Sequence, residues 1–422
     1  MKIAYVVPYV PSLVRVRPYN LIRSLVHRGN ELTVFTLWSN ERDQAELEAL
    51  KGQCQEVIAL PMPRWRSLVN SVMALPTNTP LQAVYSWNPN LAFQIENHER
   101  GNTGGSFDVI HIEHLRGARY GLHLHSRRPE LPIVWDSVDC ISYLFAQAAG
   151  QSRSLLGRLM TKFELGRTRR YESRLPGTFD HVLMTSAIDR KALLDLVPAG
   201  SHQSPVSIIP NGVDLAYFQA VEPVERDPAT VVFSGKMSYH ANITMALYLS
   251  NEVMPMVWRE RPDVRLTIVG KDPSADVLAL ASNPAITVTG FVEDIRPSLH
   301  RATVAAVPLI YGAGIQNKLL EAMACGTPVV ATSRAVAALE VQPGRDLLVA
   351  DEAEGFARRI LQLINDPQSR VKIGEAGKAY VEKNHHWGNI AASLERIYHG
   401  VVDSKGWPDT KESGKSHARI AR

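Results

Sequence analysis

Two charged residues, Lys318 and Glu321, follow a glycine-bearing loop at the start of a short apolar segment. The stretch from Tyr311 to Thr332 reads Tyr-Gly-Ala-Gly-Ile-Gln-Asn-Lys-Leu-Leu-Glu-Ala-Met-Ala-Cys-Gly-Thr-Pro-Val-Val-Ala-Thr. It predicts a loop, a helix over Lys318–Cys325, a C-terminal glycine cap at Gly326 and a strand over Val329–Thr332. Glycines ahead of a helix let backbone N–H groups approach an anion, and the helix dipole favours negative charge there. The loop residues Gly314, Ile315, Gln316 and Asn317 are therefore candidate phosphate contacts, with Lys318 as a cation. Glu321, one turn further on, can accept two hydrogen bonds from a ribose diol. Phosphate plus ribose is a nucleotide. The competing view is a plain strand–helix–strand connection with one solvated glutamate. It explains less, because loop, acid and cap fall in one register.

Other strand ends carry the same vocabulary. Phe233-Ser-Gly-Lys236 ends an apolar run; Gly235 permits close approach and Lys236 offers a cation to a diphosphate. Val269-Gly270-Lys271 and Thr289-Gly290-Phe291-Val292 are further glycine-bearing ends. Pro210-Asn211-Gly212-Val213-Asp214 is a turn by composition. A dinucleotide fingerprint is incomplete: Gly312 and Gly314 lack the third glycine and the later ribose-binding acid, which disfavours a dehydrogenase.

Acid–base candidates lie in the first half. Phe107-Asp-Val-Ile-His-Ile-Glu-His114 ends a strand with Glu113 and His114, either of which could orient or deprotonate a hydroxyl. Strand alternation points His111 and Glu113 one way and His114 the other. Asp136 and Asp139, at the next strand end, could bind acceptor hydroxyls or cap a helix. Arg15 and Arg17, in the loop after the first strand, could meet an anionic acceptor. From Arg153 to Arg174, basic residues interleave with leucines, Met160 and Phe163. That pattern suits either an anionic membrane surface or a helix packed on its own sheet.

These residues need rigid strands to hold them. The 422 residues exceed one ordinary core, so two domains are expected. Apolar residues at 45% suffice for two cores, and a net charge of +4 does not indicate a nucleic-acid binder. Three scattered cysteines form neither a metal spacing nor a disulfide framework, as suits a reducing cytosol. Ile3 to Val10 reads as a buried strand rather than a signal peptide, and no apolar run nears the ~20 residues of a membrane span.

The first half predicts strands over Ile3–Pro8, Glu31–Leu37, Val57–Leu60, Asp108–Ile112, Ile133–Asp136, His181–Ser186 and Ile208–Pro210. Residues 214–228 read as a linker. The pattern then restarts with strands near Thr230–Ser234, Val264–Gly270, Ile286–Thr289, Thr303–Pro308, Val329–Ala331 and Leu347–Val349, and with helices over Ile243–Arg259 and Glu354–Asn365. Strands alternating with helices give an α/β fold with parallel sheets. The expected domains are 1–210 and 215–386, a C-terminal helix 387–402 and a disordered tail 403–422.

Glu321 followed by Ala322-Met-Ala-Cys-Gly-Thr-Pro-Val-Val330 resembles the donor-binding element of the family-4 (group 1) retaining glycosyltransferases. Gly314 to Lys318 resembles a sub-group that makes exopolysaccharide. The resemblance implies a GT-B fold: two Rossmann-like αβα domains facing an interdomain cleft. It implies a nucleotide-sugar donor and a saccharide or lipid-linked acceptor. The Arg153–Arg174 pattern is what suggests peripheral membrane contact at the cytoplasmic face, and the mild net charge is what argues against nucleic acid. No metal or other cofactor is expected. By this resemblance Asn211 and Gly212 form the hinge beside the donor. Gly270, Phe291 and Val292 border the base, and the 387–402 helix crosses back to the first domain. Lys236 replaces the family's arginine. The family's first glutamate is Ala313 here, and its second lysine falls on Ala241 or Asn242. Lys318 is the expected substitute. The glycine-rich acceptor loop of the family reads Pro8 to Pro18 here, without glycine. Two rival activities share these features, a sugar-nucleotide epimerase and a non-catalytic nucleotide-sugar-binding partner of a polysaccharide assembly.

Overall fold

The computed structural model describes residues 1–13, 15–99, 106–149, 155–219, 224–312 and 314–406. They form two compact units, residues 1–210 together with the chain from Trp387, and residues 211–386.

Seven strands make the first sheet: β1 (Lys2–Val7), β2 (Glu31–Trp38), β3 (Glu56–Pro61), β4 (Val109–Glu113), β5 (Ile133–Val138), β6 (His181–Met184) and β7 (Val206–Ile208). Their order is β3-β2-β1-β4-β5-β6-β7, and every pairing is parallel. Parallel strands are covered on both faces, which is why β1 is apolar at successive positions rather than at alternate ones. Ala4 and Val6 pack with Ile110, Ile112, Leu115 and Tyr120 on one face. Ile3, Tyr5 and Val7 pack on the other, against Leu21, Ile22 and Leu25 of the helix Val16–His27 and Ile390, Leu394, Tyr398 and Val401 of the helix Trp387–Ser404. The last helix therefore belongs to the first unit.

That helix outruns its expected end, so Asp403 and Ser404 are helical rather than tail. Val401 and Val402 are buried, and Lys405 Nζ donates to the carbonyls of Pro129 (2.7 Å) and Leu131 (2.8 Å) and pairs with Asp180 at 2.9 Å. Residues 407–422 of the expected tail lie outside the described residues. The seventh strand also lies two residues earlier than expected.

The second sheet holds β8 (Thr230–Ser234), β9 (Arg265–Val269), β10 (Ile286–Val288), β11 (Val304–Val307), β12 (Val329–Ala331) and β13 (Leu348–Val349). Its order is β10-β9-β8-β11-β12-β13, again all parallel. The single helix expected over Ile243–Arg259 is interrupted: His240–Tyr248 and Met254–Glu260 flank a wide π turn at Leu249–Val253. Pro255 explains it, since proline lacks the N–H and its ring crowds the preceding turn. The 214–228 linker is not wholly irregular. Asp214 caps a short helix, Leu215–Phe218, by accepting from Tyr217 N, and Phe218 is buried. Residues 211–213 join this unit through the Asn211 carbonyl, which accepts from His385 Nδ1 at 2.7 Å, and Val213 N, which donates to the His385 carbonyl at 2.8 Å.

Candidate functional site

In the second unit the ends of β8, β9 and β10 converge on glycines. Gly235 has φ 152°, Gly270 φ 150° and Gly290 φ 67°. Gly235 N donates to the Val269 carbonyl at 3.0 Å, and Gly270 N to that of Gly290 at 3.2 Å. A Cβ on Gly270 would sit 1.7 Å from the Gly235 oxygen, so side chains are excluded there by backbone contact as well as by φ. A Cβ on Gly235 would meet Asn242 Nδ2 at 2.7 Å and Lys318 Cε at 3.3 Å. Backbone, amide and ammonium share one small space.

Lys318 is the second residue of the helix Asn317–Ala324, which starts one residue earlier than expected. Its Nζ donates to Asn242 Oδ1 at 2.8 Å and lies 5.8 Å from the Phe233 ring centre. Asn242 Nδ2 donates to the Lys236 carbonyl at 2.9 Å. Burial lowers the Lys318 ammonium to about 8, opposed by the Glu321 carboxylate one turn along the helix. Burial raises the Glu321 carboxyl, opposed in turn by Lys318. The helix start has no side-chain cap bond, so its first N–H groups are not closed off by a capping side chain. Gln316 Nε2 instead donates to the Gly314 carbonyl at 3.3 Å, and Gly314 has φ 77°.

The remaining donor candidates are more varied. Lys236 is exposed, with Asp272 Oδ2 4.0 Å from its Nζ. Phe291 is 71% exposed at the end of the β10 loop, whereas Val292 and Ile315 pack partly against the core. Gly212 is buried. Ala313 lies outside the described residues. Sequence reasoning missed Asn242 as a partner, noting only that it is not lysine. It also missed Thr244 Oγ1, 3.1 Å from Tyr311 Oη, and the bond from Tyr311 to His240 Nδ1.

The first unit gathers a buried charge cluster at the ends of β4 and β5. His111 and Glu113 share a face, with His111 Nε2 3.7 Å from Glu113 Oε2 and 3.8 Å from Asp136 Oδ2. Tyr5 Oη donates to Glu113 Oε2 at 2.6 Å, and Tyr9 Oη to Oε1 at 3.3 Å. Tyr398, from the last helix, bonds His111 Nδ1 at 2.8 Å. Burial pushes the Glu113 carboxyl up, but His111, Arg17 and Tyr5 outweigh it and hold it below its ordinary value. His111, Glu113 and Asp136 bring potential metal-ligand atoms within 4.8 Å of one another. Arg17 and the two tyrosines already occupy both carboxylates, so the set reads as an internal charge network.

Arg17 and Asp136, expected as acceptor contacts, are bonded to each other. Arg17 donates to Asp136 Oδ2 through Nη2 (2.7 Å) and Nε (2.9 Å), and through Nη1 to the Pro210 carbonyl (3.2 Å). Both residues are buried. Each neutralises the other. Arg15 stays partly exposed. It donates to the Val10 carbonyl at 2.9 Å, lies 3.6 Å from Asp43 Oδ1 and stacks 5.1 Å over Tyr9. Asp139 accepts from Thr185 Oγ1 at 3.3 Å, and burial with the nearby Asp189 raises it to about 6.

His114 is not on the strand. It begins the helix His114–Arg127 with φ 63°, a left-handed conformation rare outside glycine. Trp135 Nε1 donates to its carbonyl at 3.3 Å. Burial, then Arg116, lowers its imidazole to about 4 against the pull of Glu113, so it is neutral at pH 7. Strain of this kind concentrates at functional positions.

The family model "Glycosyltransferase Family 4" matches residues 14–217, and "Glycosyl transferases group 1" matches residues 228–366. The chain belongs to the GT-B glycosyltransferases. A D-inositol 3-phosphate glycosyltransferase of Pseudarthrobacter chlorophenolicus is 25% identical over 404 residues, 91% of this chain and 89% of that protein. A phosphatidyl-myo-inositol mannosyltransferase of Mycolicibacterium smegmatis is 30% identical over 204 residues, 46% of this chain and 51% of that one. Among solved structures, the sucrose-phosphate synthase of Thermosynechococcus elongatus superimposes with a TM-score of 0.66 at 19% identity, covering 96% of this chain and all of that one, a likeness of fold. No helix among the described residues of this glycosyltransferase is long and apolar enough to cross a membrane.

Proposed function

We propose that this glycosyltransferase moves a sugar, with retention, from a nucleotide-sugar to a hydroxyl acceptor, in making an exopolysaccharide or another cell-surface glycan. The observation that carries the reading is Lys318 on Asn242 beside Gly235 and Gly270, with Glu321 one turn deeper. Lys318 bonds Asn242, one of the two positions where the family's second lysine is missing. It supplies the positive charge that a departing diphosphate needs, together with exposed Lys236 and the uncapped helix start. Glu321 takes the ribose diol. In this reading His114, neutral at pH 7, meets the incoming hydroxyl. Glu113 holds the surrounding tyrosines and His111 rather than abstracting a proton, because both its oxygens are occupied.

An acceptor carrying phosphate suits partly exposed Arg15. The names of the two relatives, both inositol phosphates or lipids in their substrates, point the same way. A lipid-linked acceptor would bring the enzyme against the cytoplasmic face of a membrane.

Glu321→Ala tests the donor half. Losing a buried charged acceptor should weaken the preferred nucleoside diphosphate, chosen among UDP, GDP and ADP, by roughly 2–4 kcal/mol in calorimetry. Undiminished affinity in a folded variant removes the ribose assignment. Release of free nucleoside diphosphate only with acceptor present separates transfer from epimerisation.

A further inference from the structure

The helix Arg64–Ala74 is built inside out. Its inward positions are Ser67 and Ala74, which are buried, and Asn70, whose Nδ2 donates to the carbonyls of Val84 (3.1 Å) and Trp87 (2.9 Å). Its outward positions are Trp65, Leu68, Val69, Val72 and Met73, with Trp65 60%, Leu68 65% and Met73 69% exposed. A surface helix ordinarily turns its apolar stripe to the core. Here the bonds of Asn70 fix the opposite rotation. Met160 and Phe163, on the helix Leu155–Glu172, are exposed as well. The two helices are joined, because Arg167 Nη2 bonds the Ala74 carbonyl. Beside them opens a groove of about 670 Å³, lined by Val69, Met73, Trp87, Arg119 and Tyr171 among others.

The charge around this face has one sign. Residues 57–95 contain no aspartate or glutamate, while Arg64 and Arg66 stand in the first turn of the helix. Arg119 stacks over Trp87 at 4.6 Å, and Arg170 Nη1 donates to Asn78 Oδ1 at 3.4 Å. Glu164, the nearby acid, is bound to Arg167 Nη1 at 2.8 Å and to Leu81 N at 2.8 Å. A second copy docked face to face would set these arginines against their own kind. An anionic bilayer complements both the charge and the apolar stripe. Tryptophan and arginine flanking an aliphatic face is the composition of a helix lying in the headgroup region.

We infer that the outward face of Arg64–Ala74 is a docking surface for an anionic lipid bilayer, into which Trp65, Leu68, Val72 and Met73 insert. This rests on the proposed membrane contact and names the surface that makes it. The first unit is then held at the headgroup plane by side chains that take no part in donor binding.

Co-sedimentation of the full chain with phosphatidylcholine vesicles, with and without phosphatidylglycerol, tests it. The protein should bind the phosphatidylglycerol vesicles, and rising salt should weaken binding. Leu68→Gln/Met73→Gln should lower the partition coefficient about tenfold or more. Arg64→Gln should lower it roughly fivefold on the anionic vesicles alone. These residues are exposed, so circular dichroism and nucleoside diphosphate affinity should not change. Binding of the double variant equal to that of the parent overturns the docking surface and leaves the membrane contact standing. No binding to either vesicle overturns both. A dimer in sedimentation velocity that the double variant converts to monomer assigns the face to a second copy and overturns the inference.

Discussion

Lys318 gives the donor half a pH signature. Its ammonium falls from 10.5 to about 8 because burial among Phe233, Asn242 and the Gly235 backbone removes water, and Glu321 recovers only part. That fall corresponds to about 3 kcal/mol of cost for holding the charge in the ligand-free protein. A diphosphate beside Nζ restores a partner, so the ligand binds the ammonium form and raises its pKa. Affinity for nucleoside diphosphate should therefore be level near pH 7 and fall above about pH 8. The loss by about pH 9 is roughly tenfold, about 1.4 kcal/mol. The phosphate's own second ionisation, near 6, lies below this window. The corresponding nucleoside should show no slope. Lys318→Gln should weaken the diphosphate and abolish the slope, whereas Lys318→Arg should keep much of the affinity without the slope. Calorimetry across the range reads all of these. The linked stability effect has the opposite sign. Between about 8 and 10.5 the unfolded chain binds a proton that the folded one does not, so ligand-free stability should gain from this group as pH rises. A wild-type affinity that is level from neutral to alkaline pH, or an equal slope for the nucleoside, refutes Lys318 as a phosphate contact.

Two further outcomes concern the scaffold. Asp136→Leu strands the Arg17 guanidinium in a buried site and should cost about 3–5 kcal/mol in denaturant unfolding. Adding Arg17→Met should recover most of it. Gly270→Ala drives a methyl into the Gly235 carbonyl and should cost about 3 kcal/mol or prevent folding. Gly290→Ala, with open space around its Cβ, should cost about 1–2 kcal/mol from its backbone angle alone.

The sheets were legible because both periodicities lie close together in the chain. Apolar runs such as Ile3–Val7 and Val304–Val307, spaced by helical patterns, define parallel strands without any long-range knowledge. The Lys318–Glu321 pair was legible for the same reason, being local to one helix. What escaped is what distance in sequence hides. Arg17 and Asp136 each look available until the fold brings them together, 119 positions apart. Tyr398 reaches His111 across 287 positions, and nothing in either segment announces it. The Arg64–Ala74 helix is a different case. Its spacing at Trp65, Leu68, Val69, Val72 and Met73 is plainly helical, yet periodicity says which residues share a face and not whether that face points inward. Only the bonds made by Asn70 decide that.

The return of the Trp387–Ser404 helix to the first unit has a consequence for biosynthesis. The second unit is continuous in the chain, but the first is finished only when its last helix leaves the ribosome. At roughly 5–20 residues per second, the 211–386 stretch delays that helix by roughly 10–35 s. During the wait, one face of the first sheet, with Ile3, Tyr5, Val7, Val109 and Val134, lacks the Ile390, Leu394, Tyr398 and Val401 that cover it in the finished protein. The unit synthesised first is the one completed last, with that apolar face uncovered in the interval.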